Sequence, residues 1–513
     1  MSEPWVMVLL LAGVVGLTPL ADRVRVPQPV LLTVFGVAAG LLPFTVPLDL
    51  DPELILPVVL PPLLFAATQR TTATEFREQA RPVLALAVGL TISTAAVVAV
   101  VAHALGLGWG PSWVLGAIVS PPDPVAATAV ARRLRLPARL VTILEGEGMF
   151  NDATALVMYN VALLAVVAHD FTALGTTVEF LLAVGVGVGA GLLLGWAVTW
   201  LLARVHDAYA ETTITVLVPF VAYLGAEHFR GSGVLAVLVL GLYLRNAAHE
   251  ATTSAGWLLG RSVWAYADFV ITSMAFAVLG FELSAVTRTV PITQHIVVVA
   301  AAVIATVVVF RLAWIFPAAA LARGGLMPAD WRETTIVAWS GMRGVVTVAT
   351  ALALPLTVDG GGGFPDRDLL VVTALACVLV TLVLQGLTLA PLTQRLGVAD
   401  PADESAEVAD LRVRAARAAL AYVREDGAGH DEVRRAAELQ YEGYVEAQQA
   451  MLEARRLDSD EGDPADELDE LLRRATDVER RLVLEERRRG RVSAGSADEV
   501  LRDIESRALR DLA

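Results

Sequence analysis

Val114-Leu-Gly-Ala-Ile-Val-Ser-Pro-Pro-Asp-Pro-Val-Ala126 begins as a stretch that hydrocarbon would accept and ends as one that no regular helix can follow. Pro121, Pro122 and Pro124 lack backbone donors and collide with the preceding turn, so a helix must break where they fall. Asp123 stands inside that break. A charged side chain in a bilayer core costs several kcal/mol, and irregular backbone survives at that depth only where protein or a water-lined cavity covers it. A broken apolar helix holding a carboxylate therefore predicts an all-α polytopic membrane protein with an ion site near its midplane.

The surrounding chain supplies the membrane. Of its 513 residues 56% are hydrophobic, with a mean hydropathy of +0.61, more apolar surface than a soluble fold of this length can bury. Apolar stretches long enough to cross a core of roughly 30 Å succeed one another up to residue 400. Their centres fall near Val14, Val34, Leu60, Ile92, Asp123, Leu156, Val188, Val218, Val237, Met274, Ile304, Val345 and Leu379, giving about thirteen spans. The short stretches at 53–67 and 231–245 fit either a crossing or a re-entrant segment. Glu3 stands where a secretory leader carries basic residues, so the first stretch reads as a retained span. Counting from the N-terminus, odd loops and the segment after the last span hold fifteen arginines, and even loops hold only Arg230, Arg288 and Arg367. By the positive-inside rule this predicts a multi-pass protein of the inner or plasma membrane, with its N-terminus outside and its C-terminus in the cytoplasm.

From Pro401 the pattern changes to a charged, water-soluble one. Residues 401–513 carry 29 acids against 19 arginines, ten of the fifteen net negative charges. Periodicity and breakers predict a cytoplasmic tail of helices at 405–424, 431–457, 465–490 and 497–511, with Ser496 and Glu499 as a capping box for the last. The tail reads as a solvated helical domain, or as a sensor or dimerisation module. Cys377 is the one cysteine, which excludes an intrachain disulfide and a cysteine metal cluster. Gly360 to Gly363 lacks the strand-to-helix setting of a phosphate loop. No cofactor, enzymatic activity or nucleic-acid partner is expected.

The chemistry must come from the few charges embedded in apolar sequence: Asp123, Glu145, Glu147, Asp152, Asp268, Arg311 and Arg343. In Glu145-Gly-Glu-Gly-Met-Phe-Asn-Asp-Ala-Thr154, Glu147 and Asn151 are four apart and share a helix face, with Gly148 and Asp152 beside them. Glu147 and Asn151 suit an ion site or a buried hydrogen-bond network equally. Asp152 has no basic neighbour in its own segment. Arg343, in Trp339-Ser-Gly-Met-Arg-Gly344, and Arg311 need counterions, for which Glu145, Glu147 and Asp268 are available, so both arginines read as structural.

Three of these segments together resemble the monovalent cation:proton antiporters of the sodium/proton exchanger type. Ser120 to Ala126 is similar to that family's Ser-x-Thr-Asp-Pro-Val-Ala, Glu147 to Leu156 to its Glu-Ser-Leu-x-Asn-Asp-x-Thr-Ala, and Trp339 to Pro355 to its Trp-Gly-Gly-x-Arg-Gly segment ending in Leu-Pro. Pro61 to Phe65 and Phe276 to Leu283 agree more weakly, and the resemblance covers residues 5–395. It implies a homodimer exchanging sodium or potassium ions for protons, with Asp152 as the carboxylate that cation and proton share and Asp123 in the crossing of two broken helices. It further implies that these two acids hold the monovalent metal ion, that Glu147 pairs with Arg343, and that Asn151 holds the site together. Because asparagine cannot ionise, the expected exchange is electroneutral and one for one. Pro122, Gly148 and Ala66 stand where the family carries oxygen-bearing side chains, which leaves a potassium-selective antiporter as an alternative. A membrane protein that senses an ion without transporting it is the competing class.

Overall fold

The computed structural model describes residues 3–24, 26–42, 52–69, 83–123, 127–128, 131, 136–167, 173–247, 251–321, 330–358, 362–398, 403–425, 431–456, 464–489, 491–492, 496, 499–501 and 503–504. These form helices and no strand, apart from one isolated bridge between Thr357 and Gly363. The chain divides into two compact units, Met1–Ala399 and Asp400–Ala513.

The first unit runs α1 (Glu3–Val24), α2 (Gln28–Gly40), α3 (Pro52–Thr68), a π-helical turn (Ala85–Leu90) continuing into α4 (Thr91–Ala104), α5 (Trp109–Val119), α6 (Ala138–Val167), α7 (Ala173–Leu202) and α8 (Ala208–His228). It continues with α9 (Gly233–Ala247), α10 (Ser254–Thr289), α11 (Gln294–Leu321), α12 (Trp331–Trp339), α13 (Val345–Leu352) and α14 (Arg367–Leu396). Every span centre expected from the sequence lies on one of these helices or at a break, in order. Among the described residues seven helices are long and apolar enough to cross a bilayer by length and composition. The stretches left open in the sequence are the short helices α3 and α9, of 17 and 15 residues. Along α7, Leu181, Leu193, Trp196 and Trp200 are exposed, an apolar face that lipid covers at no cost and water would not.

Two hydrophobic cores organise this unit. One gathers α4, α5, α11, α12 and α14 around both ends of α6; the other gathers α3, α7, α8 and α9 with Trp264 of α10 against Ala153 and Leu156 of α6. Since lipid is as apolar as leucine, such helices associate through close packing, which small residues permit. Between α2 and α10 the backbones touch: a methyl on Gly36 would overlap the carbonyl of Ala277, and one on Gly280 the carbonyl of Thr33.

Two segments are broken. After α5 the chain runs without helix through Ser120 to Asp123, and between α12 and α13 it does so from Ser340 to Gly344. Each break leaves the carbonyl end of a half-helix inside the protein, with its partial negative charge and unsatisfied acceptors. An arginine closes each end. Arg343 donates from Nε to Val119 O at 2.6 Å, at the end of α5, and from Nη1 to Gly341 O at 2.6 Å. Arg311, on α11, donates to Val337 O at 2.9 Å and Ala338 O at 3.3 Å, the last turn of α12. It also grips both carboxylate oxygens of Glu147, at 2.5 and 3.0 Å.

The partner of Glu147 is therefore Arg311, a correction to the expected pairing with Arg343. The reason is where each arginine starts. Arg343 belongs to the break itself and turns into the neighbouring carbonyls, whereas Arg311 enters from a separate helix and reaches α12 and α6 together. All three side chains are almost wholly buried.

In the second unit α15 (Asp403–Glu425), α16 (Asp431–Arg456) and α17 (Pro464–Arg488) lie within two residues of the expected tail helices. Ala416, Leu420 and Val445 form a small core between α15 and α16, and Arg424 bonds to Glu438 and Glu442 across it. The expected helix at 497–511 falls largely outside the described residues.

Two outcomes follow from this packing. Gly280→Ala should destabilise the purified protein by about 2 kcal/mol through backbone overlap, whereas Gly189→Ala, with open space around it, should be neutral or slightly stabilising in thermal denaturation. Glu147→Gln removes one partner of a buried ion pair and should cost about 3 kcal/mol or more, part of which Glu147→Gln combined with Arg311→Met should restore. Equal melting of Glu147→Gln and wild type would show that the pair holds nothing together.

Candidate cation and proton site

The two breaks cross and are bonded to each other through their backbones. Asp123 donates its N–H to Met342 O at 2.6 Å, and Arg343 donates its N–H to Thr381 Oγ1 of α14 at 3.0 Å. Pro122 contributes a carbonyl that no helix claims, and Asn151 of α6 donates to it from Nδ2 at 3.0 Å. Asn151 is thereby a strut between α6 and the crossing, fully buried, with its Oδ1 lacking a hydrogen-bond partner. The strut joins a backbone carbonyl of the break to a side-chain amide on α6.

Asp123 lies against the amino end of α13. Gly344 is the N-cap of that helix, and a methyl there would collide with the Asp123 carboxylate, so glycine is required for space and not for its backbone angles. The first turn of α13 presents unsatisfied N–H groups and a partial positive charge to this carboxylate. The crossing thus sorts its charges: arginines at the carbonyl ends, an aspartate at an amino end.

Beside the crossing is a pocket of about 60 Å³, several times the volume one water requires. Asp123 and Asp152 both line it. One residue along α6 turns the side chain by about 100°, which is why Asn151 meets the break while Asp152 faces the pocket. Pro122 and Gly148 also line it, so two of the positions expected to lack a side-chain oxygen are wall positions; the third, Ala66, is buried, and its neighbour Ala67 lines the pocket.

The sequence offers Asp268 as a possible partner for the arginines and carries nothing that singles out Thr272 or Thr347. The structure puts all three in the wall of this pocket. Asp268 and Thr272 are four apart on α10 and so share a face, a signal that was present in the sequence but pointed to no particular neighbour. Among the described residues no three His, Cys, Asp or Glu side chains are grouped so that they could hold a metal ion.

Residues 6–395 match the family model described as sodium/hydrogen exchanger, transmembrane. The chain is 32% identical over 435 residues to an uncharacterised Na(+)/H(+) exchanger of Mycobacterium tuberculosis, covering 81% of this chain and 78% of that one. It is 28% identical over 391 residues to the Na(+)/H(+) antiporter ApNhaP of Aphanothece halophytica, covering 75% and 73%. Its fold is similar to the structure of the sodium proton antiporter MjNhaP1 from Methanocaldococcus jannaschii at pH 8, with a TM-score of 0.63 and 18% identity over 77% of this chain and 98% of that one. With the match running from α1 to the end of α14, through both breaks and the pocket, the chain belongs to the transmembrane sodium/hydrogen exchanger family.

Proposed function

We propose that this protein is a secondary active antiporter that exchanges sodium or potassium ions for protons, and that Asp152 is the carboxylate on which cation and proton compete. The observation that carries the reading is the pocket itself: two carboxylates, Asp123 and Asp152, face one small space where two broken helices cross. The buried arginines beside it are taken up by Glu147 and by backbone carbonyls, so neither closes an ion pair with Asp152 in place of a cargo. Two exchanger and antiporter relatives and the fold of a sodium proton antiporter support the same assignment.

The pocket also lies at the seam of the two hydrophobic cores. Leu64 belongs to the core built on α3 and α7 to α9, and Val345 to the one built on α4, α5 and α11 to α14. A sliding or rocking of one packed body against the other would open the seam to one side of the membrane and then the other, as alternating access requires. The protein acts as a homodimer in the cell membrane, crossing it thirteen times, with its N-terminus outside and its tail in the cytoplasm. Asp123 remains tied to the amino end of α13, leaving Asp152 as the group that alternates between proton and cation. One carboxylate carrying one charge gives one-for-one exchange, on which the membrane potential, worth about 2.3 kcal/mol per charge per 100 mV, has no purchase.

In everted vesicles reporting through a pH dye, addition of sodium or potassium should move protons, and Asp152→Asn should abolish the signal while the purified variant stays folded and monodisperse. Wild-type activity in that variant would remove Asp152 from the cycle. Proteoliposomes with a fixed cation gradient, clamped at different potentials by an ionophore for an ion other than the cargo, should show the same rate and endpoint throughout. A marked dependence on potential would mean unequal charge in the two half-cycles.

A further inference from the structure

We infer that Thr272 and Thr347, together with Asp268, form a second group of cation ligands facing Asp123 and Asp152 across the pocket. The inference rests on the antiport reading for the identity of the cargo. What carries it is a pair of threonine hydroxyls that the helices leave unused.

A threonine in a membrane helix ordinarily returns its hydroxyl proton to the carbonyl three or four residues back, because nothing else nearby will accept it. This protein follows the habit at many positions: Thr33 donates to Pro29 O, Thr154 to Phe150 O, Thr306 to Ala302 O and Thr381 to Cys377 O, all within 2.7 to 2.9 Å. Thr272 and Thr347 depart from it. Their hydroxyls are buried, with the residues 7% and 1% exposed, and make no hydrogen bond in the structure. For Thr347 the cause is visible: the residue four back is Arg343, in the non-helical break, so no helical carbonyl lies beneath the hydroxyl. Thr212, Thr373 and Thr393 also hold unbonded hydroxyls, but only Thr272 and Thr347 of these five line the pocket.

A buried hydroxyl without a partner has lost its water and gained nothing in exchange, and a cation accepting its lone pair offsets part of that loss. A monovalent cation entering the pocket must in turn replace the water oxygens it sheds. The wall at Pro122 and Gly148 offers no side-chain oxygen, and Thr347 and Thr272 offer two from other helices, with the Asp268 carboxylate one turn from Thr272. Hydroxyls mixed with carboxylates that form no close group of three suit a singly charged ion that keeps some of its water better than a calcium-like ion, which calls for six to eight oxygens converging closely. The ligands come from two helices, Thr347 from α13 and Thr272 and Asp268 from α10, so cation binding would draw these two helices toward each other.

The test reads binding without transport. Purified full-length protein is titrated with sodium, lithium or potassium chloride against choline chloride at constant ionic strength, and the cation concentration giving half of the thermal stabilisation is measured. Thr347→Val and Thr272→Val keep the side-chain shape and remove the hydroxyl, and each should raise that concentration about tenfold, equivalent to about 1.4 kcal/mol. Asp268→Asn should raise it at least as much. Thr347→Ser, which keeps the oxygen, should restore it to within about threefold of wild type. Wild-type affinity in both valine variants, equal loss in Thr347→Ser and Thr347→Val, or no cation-specific stabilisation of the wild type would each overturn the inference. A wild type that binds sodium with these ligands yet moves no protons in vesicles would instead sink the antiport reading and leave the site standing.

Discussion

The carbonyl ends of two half-helices, α5 and α12, are brought together inside a membrane protein, and everything around the pocket depends on how their charge is met. Each end carries the equivalent of about half a negative charge and up to four unsatisfied acceptors, in surroundings where water cannot serve them. Arg343 and Arg311 meet this demand with guanidinium groups of five donors each, fixed in a plane. Two guanidinium groups would in turn overcharge the region, and Glu147 cancels one of them through both its oxygens. The acid on α6 that would otherwise be the obvious ion ligand is thus consumed by the cost of breaking helices.

That consumption leaves the crossing with a simple division of labour. Asn151, Arg311 and Arg343, bonded to the breaks, and Glu147, held by Arg311, fix the geometry and cannot change partner without exposing a buried charge or carbonyl. Groups facing the pocket, Asp123, Asp152 and Asp268 with Thr272 and Thr347, have the space between them in common. The strut from Asn151 to Pro122 separates the two sets by a single residue along α6. In the reading proposed above, the chemistry of exchange takes place on one side of that strut and the stability of the fold resides on the other.

In the proposed reading, Pro122 and Gly148 supply no side-chain oxygen and the cation site is completed from other helices that border the same space, because an ion recognises oxygen, charge and distance and not the segment they come from. The backbone scaffold is less forgiving. Gly344 must leave room for Asp123, and Gly36 and Gly280 must let α2 and α10 touch.

Much of this was legible in the chain alone. Apolar stretches of membrane length, arginines sorted by loop, and three prolines around Asp123 determined an all-α membrane protein with a broken helix, since each expresses a local cost that no neighbour can remove. The site segments were legible as well, because Asp123, Glu147, Asn151 and Asp152 sit in short runs whose polar residues have no other reason to lie in hydrocarbon. Partners were not. Glu147 and Arg311 are 164 residues apart, and nothing in the sequence set Asp268 in the wall of the same pocket as Asp123 and Asp152. Whether Thr347 bonds to its own helix depended on where the second break fell. Sequence periodicity records which residues share a face, but which face meets which is settled by packing among many helices of nearly equal hydrophobicity, and only the tertiary structure decides it.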